Sequence, residues 1–189
     1  MKIKLDTVRL SFPKLFTPEL YDENAQVARY DATFMVEPGG ANDLLIREAI
    51  NKCAVEKWGA KAAAELKRLQ GNKQKHCYLL EDEVTRDEYE GSCVLSSHRN
   101  EPAGHPMVVD ADATELTEAS GRPYSGCYVN ASVDIYVQSG KYPGVRATLC
   151  GVQFVRDGEA FAGAPATASD FKSLVVARAA GADEFGALD

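Results

Sequence analysis

Aromatic and basic side chains in polar surroundings are the residues of this sequence whose types suit binding chemistry. Aromatic rings stack on nucleobases, at about 1 to 3 kcal/mol for each base, and lysine or arginine pairs with phosphate. Each ring could equally cover the edge of a core, so the rings alone leave both uses open. The candidates for contact with a single nucleic-acid strand are Lys14, Phe16, Lys57, Lys61, Tyr128, Tyr136, Lys141, Tyr142, Arg146 and Arg156.

Two alternating segments would position most of these residues. Residues 127–137 place apolar side chains on one side and Tyr128 and Tyr136 on the other, which predicts a half-buried strand. A loop rich in glycine and proline follows, and residues 145–155 alternate again as a second strand. The two strands together predict a hairpin with a basic, aromatic tip.

The remaining strands are predicted from shorter patterns. Residues 3–12 alternate but change phase across Asp6 and Thr7, which predicts a strand with a bulge. Residues 29–36 form a second strand, and the two prolines on either side of Phe16 predict that this ring lies on a loop. Further short strands are predicted at 77–80, 92–97 and 107–109.

A basic helical region lies between the second and third predicted strands. Asn42 is the predicted N-cap, Gly59 splits the helix, and Gly71 closes its second piece. Residues 44–76 carry eight basic and three acidic side chains, although the whole chain has a net charge of -7 and residues 157–189 are acidic. This polarity suggests a cationic surface, but an ordinary solvated helix face would look the same.

Motifs for metal binding and catalysis are weak. The five cysteines are widely spaced, as in reduced cytosolic proteins, and they offer no paired zinc ligands, so we expect no metal or other cofactor. Asp110 and Asp112 lie close together as in a two-metal site, but we interpret them as a turn. No segment is apolar enough for a membrane span and the first ten residues lack a signal-peptide pattern, so we expect a cytoplasmic protein without membrane contact.

Three long segments of the chain resemble a family of tailed-phage proteins that bind single-stranded DNA. They are VRLSFPKLFTPE, YSGCYVNASVDIYVQ and GVRATLCGVQFVRDGEAFAG. The resemblance is nearly full-length and strongest over residues 8–19 and 124–163. It implies a mainly β fold with an inserted helix (α+β), an OB-fold-like Greek-key barrel. The barrel would span residues 1–165, with the helical insertion around 42–70. This architecture fits the predicted strands and helix.

The resemblance also implies a function and partners. We expect a non-enzymatic protein that binds single-stranded DNA without sequence preference and supports phage DNA replication, recombination or repair in the cytoplasm of the infected bacterial host. Weaker binding of duplex DNA is expected as well, because a cationic groove attracts any phosphate backbone.

The C-terminal segment, residues 166–189, is expected to end in a flexible acidic tail. The resemblance implies that such a tail recruits replication or recombination proteins. The tail residues for this role are Asp183, Glu184, Phe185 and Asp189. Many such tails end in an aromatic residue, whereas here Phe185 precedes the last residue by four positions.

Two other classes of function remain open at this point. One is a metal-dependent nuclease or recombination enzyme that uses Asp110, Asp112 and an acid of the 81–83 cluster. The other is a protein-interaction or virion component whose tyrosine-bearing strands form a subunit interface.

Overall fold

The structure is built on a barrel of five long strands. A computed structural model describes residues 1–140 and 142–161. In chain order the elements are β1 (Lys2–Glu19), β2 (Arg29–Val36), α1 (Ala41–Trp58), α2 (Ala62–Leu69), β3 (Tyr78–Leu79), β4 (Cys93–Asn100), β5 (Met107–Val109), β6 (Tyr128–Gln138) and β7 (Gly144–Arg156). The two short strands, β3 and β5, pair with β4 and β7 beside the barrel.

The barrel closes where β4 pairs with β7. The strand order is β4-β2-β1-β6-β7, and β4 then meets β7. Neighbours in this order are antiparallel, whereas β4 and β7 run parallel where His98 pairs with Thr148. A five-stranded Greek-key barrel of this kind is an OB-fold, so the predicted fold class is confirmed.

Alternating burial explains why the strands could be located from the sequence. On β2 the even-numbered residues Tyr30, Ala32, Phe34 and Val36 are buried, and the odd-numbered ones face outward. On β6 the alternation is equally regular until the strand reaches its end. The predicted second strand is confirmed at both ends, and the two hairpin strands are confirmed to within one residue.

Strand β1 contains two bulges. The predicted phase change is confirmed, because the register shifts between Leu5 and Val8 and Thr7 has a φ of 50°. A second shift begins after Ser11, where Phe12 has a φ of 42°. The irregular pairing beyond this point accommodates two prolines, which cannot donate a ladder hydrogen bond.

The predicted loop around Phe16 is wrong, because β1 continues to Glu19. The Phe16 ring is half-buried against the core, and its centroid lies 5.7 Å from that of His105 in a stacked pair. Phe16 therefore packs against the barrel and is not an open loop residue.

Helix α1 packs against β6 and β1. The Cys53 thiol donates a hydrogen bond to the Ile135 carbonyl at 3.2 Å. The predicted break at Gly59 is confirmed by a 3-10 turn over Gly59–Lys61. The predicted Asn42 cap is wrong, since Gly40 is the N-cap and the Asn42 side chain instead binds both backbone groups of Asp6, at 3.0 and 2.8 Å.

The chain just before β3 fills the gap where β4 and β7 diverge. The Cys77 N–H donates to the Val145 carbonyl at 3.0 Å, and the Val145 N–H donates to the Lys75 carbonyl at 2.8 Å. On the other side, the Ser96 N–H donates to the Cys77 carbonyl at 2.8 Å. These bonds fix the start of β7 against the basic segment that follows α2.

The cysteines are free thiols, and four of the five are buried. Burial raises the pKa of Cys77 to about 12 and that of Cys127 to about 11, so both thiols stay protonated at neutral pH. None of the helices described in residues 1–140 and 142–161 has the length and hydropathy needed to cross a membrane.

Candidate nucleic-acid interface

The outward side of β2 and β4, continued onto the start of β7, forms a polar surface that we call the strand face. The outward residues pair as Arg29 with Asn100, Asp31 with His98, and Thr33 with Ser96. The pairing of His98 with Thr148 extends this surface to β7. OB-folds bind oligonucleotides on the second and third barrel strands and on the loops beside them, which correspond here to β2, β4 and the segments 20–28 and 139–143.

An aromatic and arginine pair occupies the end of the strand face next to the β1–β2 connection. The Arg29 guanidinium lies 4.4 Å from the centroid of the Tyr21 ring, and 58% of the Tyr21 residue is exposed. Arg29 Nε lies 2.9 and 3.1 Å from the two carboxylate oxygens of Asp31. Asp31 therefore orients the guanidinium. The Tyr21 ring and the Arg29 guanidinium together form a flat surface, the platform, on which a base can stack.

His98 lies at the centre of the strand face. It is half-buried between Asp31 on β2 and Thr148 on β7. Burial lowers the pKa of His98, the nearby guanidinium of Arg29 lowers it further, and Asp31 opposes both effects. The free protein therefore presents a neutral imidazole here at pH 7, which suits stacking or hydrogen bonding rather than a fixed charge.

Arg146 lies at the β7 end of the strand face, directly across the ladder from Tyr136. Its Nη1 donates to the Gln74 carbonyl at 2.5 Å, so the side chain is held against the segment before β3. A Cβ added to Gly144 would lie 2.6 Å from the Lys75 carbonyl oxygen and 3.0 Å from Arg146 Cζ. Glycine is thus required at position 144 for the guanidinium and the two backbones to pack together.

The β6–β7 hairpin brings more aromatic surface to the same end. Tyr136 is 38% exposed and Tyr142, near the tip, is 63% exposed. The Trp58 indole N–H donates to Ser139 Oγ at 3.1 Å and ties the hairpin to the end of α1. Two predicted phosphate partners, Lys57 and Lys61, are exposed at this junction.

The predicted contact residues do not all fall on one surface. Tyr136, Tyr142 and Arg146 lie together, and Lys14 pairs in register with Asp31 beside the platform, where its ammonium forms an ion pair with Glu19. Tyr128 lies eight residues before Tyr136 on β6, roughly 27 Å away along an extended strand.

Tyr128 and Arg156 form a separate pair at that far end of β6. The Arg156 guanidinium lies 3.5 Å from the Tyr128 ring centroid. Lys141 and the predicted tail residues Asp183, Glu184, Phe185 and Asp189 lie outside the described residues.

Sequence reasoning missed Tyr21, Arg29 and His98. Tyr21 stands in a polar connection where nothing distinguishes it from a solvent-exposed loop residue, and Arg29 and His98 occupy the outward positions of their strands. The signal that was available is the position of the β1–β2 connection, because OB-folds use the loop after their first strand for binding. This signal can be used only when the first strand of the barrel and the strands that pair with it are known.

The predicted turn at Asp110–Asp112 is confirmed. The Ala113 N–H donates to the Asp110 carbonyl at 3.0 Å, and the Asp112 side chain accepts the Thr114 N–H at 2.9 Å. The Asp110 carboxylate forms an ion pair with Arg122 at 2.5 Å. Among residues 1–140 and 142–161, no group of three or more His, Cys, Asp or Glu side chains is arranged to hold a metal ion.

Comparison with known proteins gives consistent matches over most of the chain. The profile of the family described as Enterobacter phage Enc34, ssDNA-binding protein, matches residues 1–185. Protein p50 of Acyrthosiphon pisum secondary endosymbiont phage 1 is 39% identical over 181 residues, which span 94% of this chain and 96% of that relative.

Solved structures give the same result for the fold. The single-stranded DNA-binding protein from bacteriophage Enc34 has a TM-score of 0.66 at 25% identity, covering 89% of this chain and 88% of that one. The same phage protein in complex with ssDNA has a TM-score of 0.68 at 25% identity, covering 85% and 89%. The single-stranded DNA-binding protein gp2.5 of bacteriophage T7 shares the fold, with a TM-score of 0.57 at 12% identity over 88% and 97% of the two chains.

Proposed function

The chain belongs to the family of phage single-stranded DNA-binding proteins represented by that of Enterobacter phage Enc34, and from this premise we propose that it binds single-stranded DNA without sequence preference across the strand face. The observation that carries the proposal is the pair of aromatic and arginine sites at the two ends of this face. Tyr21 with Arg29 marks one end, and Tyr136 with Arg146 marks the other.

The chemistry of this face explains why binding should tolerate any sequence. Rings and guanidinium planes stack on the faces of bases, and every base has such a face. Thr33, Ser96 and Thr148 line the middle of the surface with short side chains that leave room for a strand. Reading of base edges needs donors and acceptors that are fixed against particular bases, whereas the Arg29 guanidinium and the Asp31 carboxylate are paired with each other.

The overall negative charge of the protein is compatible with this proposal because the cations are concentrated. Arg146 lies beside the segment that carries Lys73 and Lys75, and Lys57 and Lys61 lie beyond the hairpin. Phosphate contacts release counterions, so affinity should fall as salt rises.

The test is fluorescence anisotropy with a labelled oligo-dT of about 30 nucleotides and a matching duplex, at low and moderate salt. Binding that is salt-sensitive and favours the single strand is expected. Tyr136→Leu should weaken it about fivefold or more, since one stacked base contributes at least about 1 kcal/mol. The matched control is Leu44→Ala, which truncates an exposed side chain on α1. Equal loss in both variants, or no loss in either, contradicts the proposed surface.

Partner recruitment is proposed for the acidic C-terminal segment. Asp183, Glu184, Phe185 and Asp189 would engage replication or recombination proteins of the host or phage, and the same acids would compete with DNA for the strand face. Deletion of residues 179–189 should then tighten binding to oligo-dT at low salt, and unchanged affinity would exclude the competition.

The remaining proposals concern duplex DNA, location and catalysis. Weaker duplex binding follows from the concentrated cations, and the place of action is the cytoplasm of the infected bacterial host. The protein acts by binding alone. Intact labelled DNA after incubation with excess protein and magnesium or manganese is the expected result, and cleavage that is lost in Asp110→Asn would support the nuclease alternative instead.

A further inference from the structure

A second aromatic surface lies around the second bulge of β1, next to the end of β6 that carries Tyr128. We propose that this surface, the bulge patch, is a second contact for the same single strand, at which the Phe12 ring stacks on a base. This inference rests on the proposed function and adds a site to it. The bulge patch consists of Arg9, Phe12, Arg86, Tyr128, Arg156 and Phe161.

Phe12 is held in an unusual backbone conformation that keeps its ring accessible. Its φ is 42°, a region that bulky residues rarely adopt, and 40% of the residue is exposed. The Ser125 hydroxyl oxygen accepts the Phe12 N–H at 3.0 Å and fixes the bulge. Strained backbone persists where the surroundings enforce it, and such positions concentrate at ligand sites. An exposed phenylalanine held this way indicates a binding role rather than a core role.

Phe161 supplies a second ring beside Phe12. The ring centroids are 6.3 Å apart and the planes differ by 26°. The Phe161 N–H donates to the Ser125 carbonyl at 3.1 Å, so one residue anchors both phenylalanines through its side chain and its backbone. The two rings are therefore positioned together before any ligand arrives, which reduces the entropy lost on binding.

Three guanidinium groups lie over the rings of the patch. Arg86 Cζ is 4.9 Å from the Phe12 centroid, and Arg9 Cζ is 4.4 Å from the Phe161 centroid. Arg9 is held by hydrogen bonds to the carbonyls of Gly126 and Glu159, at 3.3 and 2.7 Å.

The Tyr128 and Arg156 pair continues this surface. Tyr128 is the ladder partner of both Arg9 on β1 and Arg156 on β7, which makes one surface across three strands. Alternating rings and guanidinium planes are the combination on which nonspecific single-strand binders stack bases.

The patch is separated from the strand face by the segment before β4. The Tyr89 and Ser11 hydroxyl oxygens are 3.1 Å apart and buried, so this segment covers the outer side of β1 between the two surfaces. A strand short enough to occupy the strand face alone would not reach the patch, whereas one near the upper end of the OB-fold range, about 16 nucleotides, would.

The charges around the patch predict how it would bind. Arg156 and Arg9 donate hydrogen bonds to the backbone carbonyls of Asp157 and Glu159, so both acids lie beside the patch. Three further acids, Asp87, Glu88 and Glu90, lie beside Arg86 in the chain. The acids offset most of the positive charge, so the contact should be made by stacking more than by phosphate pairing. Loss of the Phe12 ring should therefore lower affinity without changing the salt dependence.

The experiment compares Phe12→Leu with wild type on oligo-dT of about 8 and about 16 nucleotides, under conditions where sedimentation shows one protein on each oligomer. Leucine keeps an apolar side chain at position 12 and leaves the same positive φ to be adopted there, but it removes the aromatic ring face. We expect about a five- to tenfold loss of affinity for the longer oligomer and less than about a twofold change for the shorter one. Tyr136→Leu should weaken both, and Leu44→Ala neither.

Photo-crosslinking reports direct contact between DNA and the patch, which is not expected if Phe12 has only a structural role. An oligomer of about 16 nucleotides with 5-iodouracil at successive positions should crosslink to the peptides that contain Phe12 or Phe161. Unchanged affinity of Phe12→Leu for the longer oligomer, together with no such crosslink, overturns the second contact and leaves the patch to a protein partner. Equal weakening on both oligomers also overturns it, because the patch would then belong to the first site. If wild type binds neither oligomer, it is the proposed function that fails.

Discussion

Replacing Gly144 by alanine tests how the start of β7 is built. The added Cβ would lie 2.6 Å from the Lys75 carbonyl oxygen, an acceptor that is already held by the Val145 N–H at 2.8 Å. It would also lie 3.0 Å from Arg146 Cζ, so the guanidinium must move away from the Gln74 carbonyl. Neither neighbour can yield without losing a hydrogen bond.

The magnitude follows from the cost of overpacking. Forcing an extra carbon into a filled site costs about 1 to 3 kcal/mol, which for a chain of this size lowers the melting temperature by about 2 to 12 °C. Displacement of Arg146 should also weaken binding of oligo-dT about fivefold, equivalent to about 1 kcal/mol. Thermal unfolding by circular dichroism measures the first effect, and anisotropy well below the transition measures the second.

The control is Gly140→Ala in the same hairpin. Its added Cβ meets nothing within 4 Å, although the φ of 94° makes alanine strained there. It therefore reports backbone strain without the collision. Wild-type stability of Gly144→Ala would refute the packing argument, and reduced stability with unchanged DNA affinity would refute the role of Arg146 in binding.

Three further perturbations test the charges and the helix contact. Arg146→Gln should reduce the slope of log affinity against log salt by about 0.7, the value for one phosphate contact on a single strand, as measured by anisotropy across a salt series. The pKa of His98 is lowered in the free protein, and a nearby phosphate would raise it in the complex. The complex then binds more protons, so affinity should rise as the pH falls through the pKa that His98 has in the complex. His98→Gln should abolish that rise, whereas the same rise in the variant would assign it to another group. Asn42→Ala removes the two bonds to Asp6 and should lower the free energy of unfolding in urea by about 1 kcal/mol, with Asn51→Ala on the exposed side of α1 as the control and oligo-dT affinity unchanged in both.

Much of the barrel could be predicted because its strands alternate cleanly. The burial pattern of β2 and β6 repeats every two residues, and the bulge at Thr7 appears directly as a change of phase. The glycine at position 59 also predicted the helix break correctly, since the structure has a 3-10 turn there.

Other features depend on contacts between distant parts of the chain. Asn42 satisfies the local preference for an N-cap, but its partner is Asp6, 36 residues away, and no local rule reveals that pairing. Phe16 is drawn into the barrel by packing on His105, which overrides the loop signal from the prolines.

The binding surfaces could be predicted only in part for the same reason. Tyr136 and Arg146 were found because they lie on consecutive strands of one hairpin. Tyr21, Arg29 and His98 come together only when β2 pairs with β4 across an insertion of two helices. Tyr128 was grouped with Tyr136 because both share a side of β6, although the length of the strand separates them.

The most direct test of binding across the strand face is a titration of an oligo-dT of about eight nucleotides with the double variant Tyr21→Leu, Arg146→Gln. The two mutated side chains lie at opposite ends of the face, so their effects should add to a loss of at least about twentyfold relative to wild type and to the exposed-helix control Lys52→Gln. Wild-type affinity in the double variant would contradict the assignment of this face as the single-strand site.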